Sequence, residues 1–169
     1  GHWRDEGTWT GARPQNVVVV AKSDGDYASI QAALDSITDA SASNRYLVWV
    51  APGIYNETVT MKPYVDIEGA GELATKITDI GFGSAVGGTV LGANNAELRF
   101  LTVENTGGAD YAIAIYNDSA SPRLTHVTAI ASGGTYNRSV HNGNCSPKMT
   151  NVIASASGGT TASGVTNVF

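Results

Sequence analysis

Residues 112–134, AIAIYNDSASPRLTHVTAIASGG, align with residues 137–159, NRSVHNGNCSPKMTNVIASASGG, at a constant offset of 25. Eleven identical or similar pairs lie in this register, from Ile115/Val140 to Gly133/Gly158. The preceding segment LRFLTVENTGG (residues 98–108) fits the same pattern at an offset of 26, and a further copy begins around Val165. Four successive copies, two of them partial, identify the chain as a repeat protein.

A period of about 25 residues with short strands and no helix is the size of one turn of a parallel β-helix. Successive coils stack about 4.8 Å apart, so that equivalent residues form columns along the solenoid. We therefore predict an all-β, right-handed parallel β-helix of about five coils. The expected inward columns are Leu98/Leu124/Met149, Leu101/Val127/Val152 and Val103/Ala129/Ala154. Asn117, Asn142 and Asn167 are expected to form a ladder of amides at a bend, with left-handed backbone angles.

The N-terminal part predicts a single helix. Ser29 is a suitable N-cap, and apolar residues recur at helical spacing, so we expect a capping α-helix over about residues 29–37. Short strands are predicted at Val17–Ala21, Tyr46–Val50, Glu57–Met61 and Tyr64–Glu68. Residues 1–15 lack periodicity and are interpreted as an arm, and residues 16–169 as one β-helix domain that stops within a repeat. An uncapped last coil has unpaired strand edges, which predicts self-association through that coil.

Composition excludes several classes of partner. The formal net charge of −5 and the lack of a basic run argue against nucleic acid binding. No segment is apolar enough to span a membrane. Cys145 is the only cysteine, and Asp24 and Asp26 are interpreted as an ordinary turn because the remaining ligands of a calcium loop are missing. We expect no cofactor and no metal site.

Three motifs carry a likeness to a known family. They are DYASIQAALD (residues 26–35), PGIYNETV (residues 52–59) and FLTVENTGG (residues 100–108). Together they resemble the pectinesterase family, and the likeness covers about residues 17–116. The resemblance implies the pectin lyase-like right-handed parallel β-helix, an extracellular location and polysaccharide or cell-surface glycan as partner.

The catalytic motifs of that family are absent here. Tyr111 stands where the resemblance places an oxyanion-binding Gln, and Gly133-Gly134 stands where it places a Gln-Asp pair. No Asp or Glu follows Asp118, although this ester hydrolysis needs one carboxylate as nucleophile and another as general acid. We therefore expect no catalytic residues and no pectin methylesterase activity.

Two functions remain open from the sequence. The first is a non-catalytic extracellular module, adhesin-like or phage tail-like, that recognises glycans through Tyr111, Tyr116, Tyr136 and His141, because sugar rings stack on aromatic faces. The alternative is a carbohydrate-active enzyme, an esterase or a lyase, with a divergent site or one outside this segment. Its candidate acids are Asp66, Glu68, Glu104 and Asp110, and its candidate bases for a lyase reaction are Arg123, His126, Arg138, His141 and Lys148.

Overall fold

The structure, a computed structural model, describes residues 16–81, 85–108 and 110–169. The elements of the N-terminal part are β1 (Asn16–Val20), α1 (Ile30–Ser36), β2 (Tyr46–Val50), β3 (Gly53–Asn56), β4 (Val59–Thr60), β5 (Val65–Gly69), β6 (Thr75–Asp79) and β7 (Val90–Leu91). Longer strands follow: β8 (Glu97–Asn105), β9 (Tyr111–Asp118), β10 (Arg123–Ser132), β11 (Tyr136–Gly143), β12 (Lys148–Ser157) and β13 (Thr161–Val168). The predicted arm, residues 1–15, lies outside the described residues.

The strands form two sheets in which every described pairing between named strands is parallel. The first sheet has the order β1-β2-β5-β8-β10-β12, with β3 and β6 joined to it through β8. The second has the order β4-β7-β9-β11-β13. The chain therefore winds from one sheet to the other and back, and the predicted parallel β-helix with one short helix is confirmed.

The repeat offset sets the strand register. Leu124 lies between Leu98 and Met149, and Val127 and Ala129 are aligned with their copies in the same way. In the inner coils these columns are fully buried and form the core together with Ile115, Val140 and the apolar residues of the first coils. The predicted columns thus have the predicted register, but in the last described coil Met149 is 38% exposed and Val152 and Ala154 are half-buried.

Left-handed backbone does not occur at the stacked asparagines but two residues after them, at Ser119 and Asn144, and at three aligned positions of the first sheet. Left-handed backbone occurs at Phe100, His126 and Asn151, with φ of 55°, 50° and 52°. The stacked asparagines Asn117 and Asn142 instead lie within strands and are buried, so the left-handed angles predicted for them are wrong. An extended strand already brings the amides into line, because parallel register places each one above its repeat copy.

Helix α1 covers the N-terminal end of the solenoid and is held by side chains from the coil beneath it. Ser29 is its N-cap, as predicted, and Ile30, Ala33 and Leu34 are buried. The Glu57 carboxylate accepts from the backbone N–H groups of Ile30 and Gln31 at 3.0 and 2.9 Å. No helix among the described residues has the length and apolarity that crossing a membrane requires.

Candidate functional site

Four side chains predicted from the sequence form two stacked pairs on β9 and β11. Tyr111 stacks on Tyr136, with ring centroids 4.9 Å apart and 22° between the planes. Tyr116 stacks on His141 at 5.1 Å and 7°. Parallel register causes both pairs, since Tyr136 is aligned with Tyr111 and His141 with Tyr116.

Arg138 on β11 connects the two pairs. Its guanidinium carbon lies 5.6 Å from the centroid of the Tyr111 ring, and its Nη1 lies 3.4 Å from Nδ1 of His141. We call these five residues, Tyr111, Tyr116, Tyr136, Arg138 and His141, the aromatic face. Sequence reasoning placed Arg138 among candidate bases and did not locate it between the rings.

The contact with Arg138 assigns the tautomer of His141. A guanidinium has only donors, so Nδ1 accepts and the proton of the neutral ring is on Nε2. Burial, and next the positive charge of Arg138, lower the pKa of His141 below its ordinary 6.5, while Asp118 acts in the opposite direction. His141 is therefore neutral at pH 7 and offers a donor at Nε2.

Tyr116 is likewise protonated at neutral pH. Burial, followed by the negative charge of Asp118, raises the pKa of its phenol above the usual 10.0. Burial also raises the pKa of the Cys145 thiol, whose Sγ lies 3.6 Å from the carbonyl oxygen of Asn117. The groups around the aromatic face are thus neutral hydrogen-bonding groups and one fixed cation, with Asp118 exposed at the end of β9.

The next coil presents short hydroxyl side chains in the same register. Thr161, Ser163 and Thr166 on β13 are aligned with Tyr136, Arg138 and His141 respectively. Thr166 Oγ1 is buried and has no hydrogen-bond partner. The constant offset of the repeat is enough to place these three residues, but hydroxyl side chains alone gave no functional signal.

The other candidate bases lie on the first sheet. Arg123 and Lys148 are exposed and aligned with each other at the starts of β10 and β12. His126 stacks on Phe100 at 5.2 Å, and its Nε2 lies 3.2 Å from Nδ2 of Asn151. Only Arg138 and His141, of the five candidates, are on the aromatic face.

The candidate acids are divided among separate contacts. Glu68 pairs with Arg99 at 2.7 Å, and Asp66 lies 3.8 Å from the same guanidinium. Glu104, further along β8, pairs instead with Lys76 at 3.2 Å. Asp110 is exposed just before β9 in the second sheet. Within the described ranges, no three His, Cys, Asp or Glu side chains are grouped so as to hold a metal ion.

Comparison with known proteins gives a consistent likeness. No family model matches the chain. The chain is 34% identical over 106 residues to putative pectinesterase 11 of Arabidopsis thaliana, covering 57% of this chain and 30% of that protein. It is 36% identical over 74 residues to probable pectinesterase 49 of the same plant, covering 42% and 20%. The chain thus spans under a third of the length of these relatives.

Solved structures share the fold at low sequence identity. A pectin methylesterase in complex with a hexasaccharide superposes with a TM-score of 0.59 at 18% identity, over 79% of this chain and 49% of that one. The chain is a pectinesterase-like parallel β-helix. Carrot pectin methylesterase gives a TM-score of 0.52 at 19% identity, over 86% of this chain and 64% of that one.

In this pectinesterase-like helix, the turn before β11 has no room for the Gln-Asp pair that the resemblance places there. Gly133 has a φ of 83°, and a Cβ added to it would lie 2.1 Å from the Thr106 carbonyl oxygen. A Cβ at Gly134 would lie 2.8 Å from the backbone nitrogen of Ala112. The coils approach too closely at this turn for side chains there. Tyr111, which stands where the resemblance places a Gln, belongs to the aromatic face.

Proposed function

We propose that this chain is a non-catalytic extracellular module that recognises polysaccharide through the aromatic face. The observation that carries the proposal is the arrangement of two stacked aromatic pairs on one side of the second sheet with a guanidinium between them. Sugar rings present C–H groups that pack on aromatic faces, while polar groups at the edge fix their orientation. The likeness to pectinesterases supports a carbohydrate ligand.

Charge favours an acidic polysaccharide. After Asp118 the sequence contains three cations, Arg123, Arg138 and Lys148, and no carboxylate side chain, which gives +3 against −5 for the whole chain. A uronate carboxylate is a suitable partner for Arg138, because guanidinium–carboxylate hydrogen bonds are charge-assisted. Of these cations, Arg123 and Lys148 lie on the first sheet and Arg138 lies on the aromatic face, so the second sheet combines ring faces with one positive charge.

The tautomer of His141 supports recognition over catalysis. Its Nδ1 lone pair faces Arg138, and Nε2 carries the proton, so neither nitrogen offers the free lone pair that a general base needs. The alternative is a carbohydrate-active enzyme with a divergent site or one outside this segment. Release of reducing ends, unsaturated products or methanol from pectin or alginate by purified protein would establish that alternative.

Binding of polygalacturonate, alginate and a neutral glucan, measured by calorimetry, tests the proposal. Tyr136→Ala is expected to weaken binding of the acidic polymers about tenfold, because it removes one stacking surface. Phe100→Ala is the matched control: Phe100 is 37% exposed and Tyr136 36%, and both stack on a ring, but Phe100 lies on the first sheet. Equal losses in the two variants, or none in either, would refute the proposal.

Self-association through the last coil stays a prediction. Strands β12 and β13 are the outermost strands of the two sheets at that end, and Ile153 and Val165 are exposed there. Sedimentation across a range of protein concentrations measures it directly.

A further inference from the structure

Two exposed cations on the first sheet have no side-chain partner. They are Arg123 and Lys148, and within the described ranges neither side chain takes part in an ion pair, a hydrogen bond or a ring contact. The other Lys and Arg side chains of those ranges contact carboxylates, carbonyl oxygens or rings; they are Lys22, Arg45, Lys62, Lys76, Arg99 and Arg138. Arg123 and Lys148 are therefore the described cations that are available to a ligand.

The same two cations are neighbours in the sheet. Arg123 is aligned with Lys148 of the next coil, and adjacent strands lie about 4.8 Å apart. Like charges directly opposite each other on neighbouring strands are destabilising. The repeated charge thus does not help to hold the coils together, whereas a bound anion would relieve its repulsion.

The carboxylate nearest to Arg123 in register is already engaged. Glu97 is aligned with Arg123 on the other side. Its Oε2 lies 3.0 Å from Nη1 of Arg99, and its Oε1 accepts from the Thr125 hydroxyl at 2.7 Å. The next coil supplies no carboxylate either, since no Asp or Glu follows Asp118.

The repeat also places hydroxyl groups on both sides of each cation. Residues 121–125, SPRLT, have their copy in residues 146–150, SPKMT. Side chains of a strand alternate between its two faces, so Thr125 and Thr150 lie on the same face as the cations. The serines that begin the two segments are exposed as well. We call the two cations and these four hydroxyl residues the basic strip.

We propose that the basic strip binds a linear acidic polysaccharide that runs along the solenoid axis, with the carboxylates of successive sugar units at Arg123 and Lys148. The coil spacing of about 4.8 Å is close to the length of one sugar unit in a linear chain, so consecutive sugars meet consecutive coils. Charge-assisted hydrogen bonds join the cations to the carboxylates, and the flanking hydroxyls bind sugar hydroxyls. The inference shares with the proposed function only the class of ligand, because the aromatic face lies on the other sheet.

A polysaccharide fits the strip better than other linear polyanions. In an extended acidic peptide, alternate side chains point to opposite sides, so the carboxylates that face the strip are roughly 7 Å apart. Duplex DNA carries a charge every ~1.7 Å of its axis, which two cations on a chain of net charge −5 do not match.

Removing the charges one at a time tests the strip. Arg123→Gln and Lys148→Gln are each expected to weaken binding of digalacturonate about threefold, the effect of one exposed ion pair. Backbone amide shifts of β10 and β12 in an NMR titration measure this binding at the strip itself. Lys22→Gln is the matched control, because it removes the same charge from an exposed lysine that follows β1. Full binding by both strip variants, or an equal loss in Lys22→Gln, overturns the inference.

The direction of the ligand is tested with shorter and uncharged ligands. A disaccharide along the axis reaches both cations, so the unmodified protein should bind digalacturonate about threefold more tightly than galacturonate, and Lys148→Gln should bind the two equally. Equal affinity in the unmodified protein overturns the axial arrangement. Methyl-esterified digalacturonate has no charge, and binding of it as tight as that of the acid form also contradicts the strip, as does equally tight binding of duplex DNA at the same salt concentration.

The same titrations distinguish this inference from the proposed function. Shifts confined to β9 and β11 that are lost in Tyr136→Ala overturn the basic strip and leave the proposed function standing. Shifts on β10 and β12 that persist in Tyr136→Ala and weaken in Arg123→Gln are the expected result for the strip, whatever happens at the aromatic face.

Discussion

The coils before and after residue 110 have the same fold, but different side-chain interactions hold neighbouring coils together in the two parts. In the earlier coils, charged side chains join neighbouring coils: Arg45 pairs with Asp66 at 3.0 Å, and Arg99 pairs with Glu68 at 2.7 Å. Arg99 also pairs with Glu97 of its own strand at 3.0 Å. In the later coils, neutral groups stack on their own copies. Asn117 donates to Asn142 and Asn142 to Asn167, both at 2.9 Å.

The difference follows from what each group can do when it meets a copy of itself. A carboxamide is both donor and acceptor and a ring has two faces, so either repeats indefinitely along a column. A carboxylate above a carboxylate repels, so each charge needs a different partner in the next coil. Buried columns of identical groups are therefore neutral, whereas Arg123 and Lys148 repeat a positive charge at an exposed position. Because the later coils use neutral groups in these columns, the second sheet has no negatively charged side chain after Asp118.

The largest effect is expected from Arg99→Ala in the earlier coils. It leaves Glu68, Glu97 and the nearly buried Asp66 without this shared cation, and loss of one partner of a largely buried ion pair is strongly destabilising. We expect the free energy of unfolding to fall by about 3 kcal/mol, measured by urea denaturation. Arg123→Ala, at an exposed arginine of β10, is the control and should change it by less than about 0.5 kcal/mol. Similar losses in both would mean that the ion pairs do not hold these coils together.

The amide ladder of the later coils should be nearly as sensitive. Asn142→Ala removes both ladder bonds and leaves the buried Asn117 amide without its acceptor, so a loss of about 2 kcal/mol is expected. Asn56→Ala, at an exposed residue of β3, is the matched control. Thermal unfolding of both variants measures the difference.

Asn142→Asp refines the same test. An ionised carboxylate still accepts from Asn117 but cannot donate to Asn167, whereas a protonated carboxyl does both. The deficit of this variant relative to the wild type should therefore shrink as the pH falls. A deficit that grows in acid would show that hydrogen bonding along the ladder is not what stabilises these coils.

The smallest effect is the pH dependence contributed by His141. Because its pKa is lowered in the folded protein, the unfolded chain binds this proton first as the pH falls below about 6.5, and stability decreases. Above that pH the ring is neutral in both states and contributes no slope. His141→Phe keeps a ring above Tyr116 and removes the titration, so the variant should lose less stability than the wild type as the pH is lowered from 7. Identical pH profiles would contradict the burial of a neutral His141.

The sequence predicted the later coils closely for a physical reason. In the parallel sheets of this fold, each residue is aligned with the equivalent residue one coil away. A constant repeat offset therefore predicts the strand pairing directly, as for Leu124 with Met149 and Tyr111 with Tyr136. The two stacked pairs of the candidate site were available from the same offset.

The strands and the helix of the earlier coils were predicted, but the pairing between those coils and the position of Arg138 were not, because neither has a repeat partner of similar chemistry. Glu68 meets Arg99 at an offset of 31, whereas Thr78 meets Glu104 at an offset of 26, so no single offset describes those coils. Arg138 is aligned with Ile113 and Ser163. Its position between the rings depends on the conformation of its long side chain, and the repeat pattern gives no information about side-chain conformation.

The capping helix is too short to exist by itself. Seven residues cannot offset the cost of helix nucleation in water, and its ends depend on Glu57 and on Lys62, whose Nζ donates to the Leu34 and Ile37 carbonyls at 2.7 and 2.6 Å. Both side chains flank β4. Helix and strand therefore form one cooperative opening unit, and their amide protons should exchange with solvent at a common rate. The capping helix therefore unfolds only together with the coil whose side chains hold its two ends.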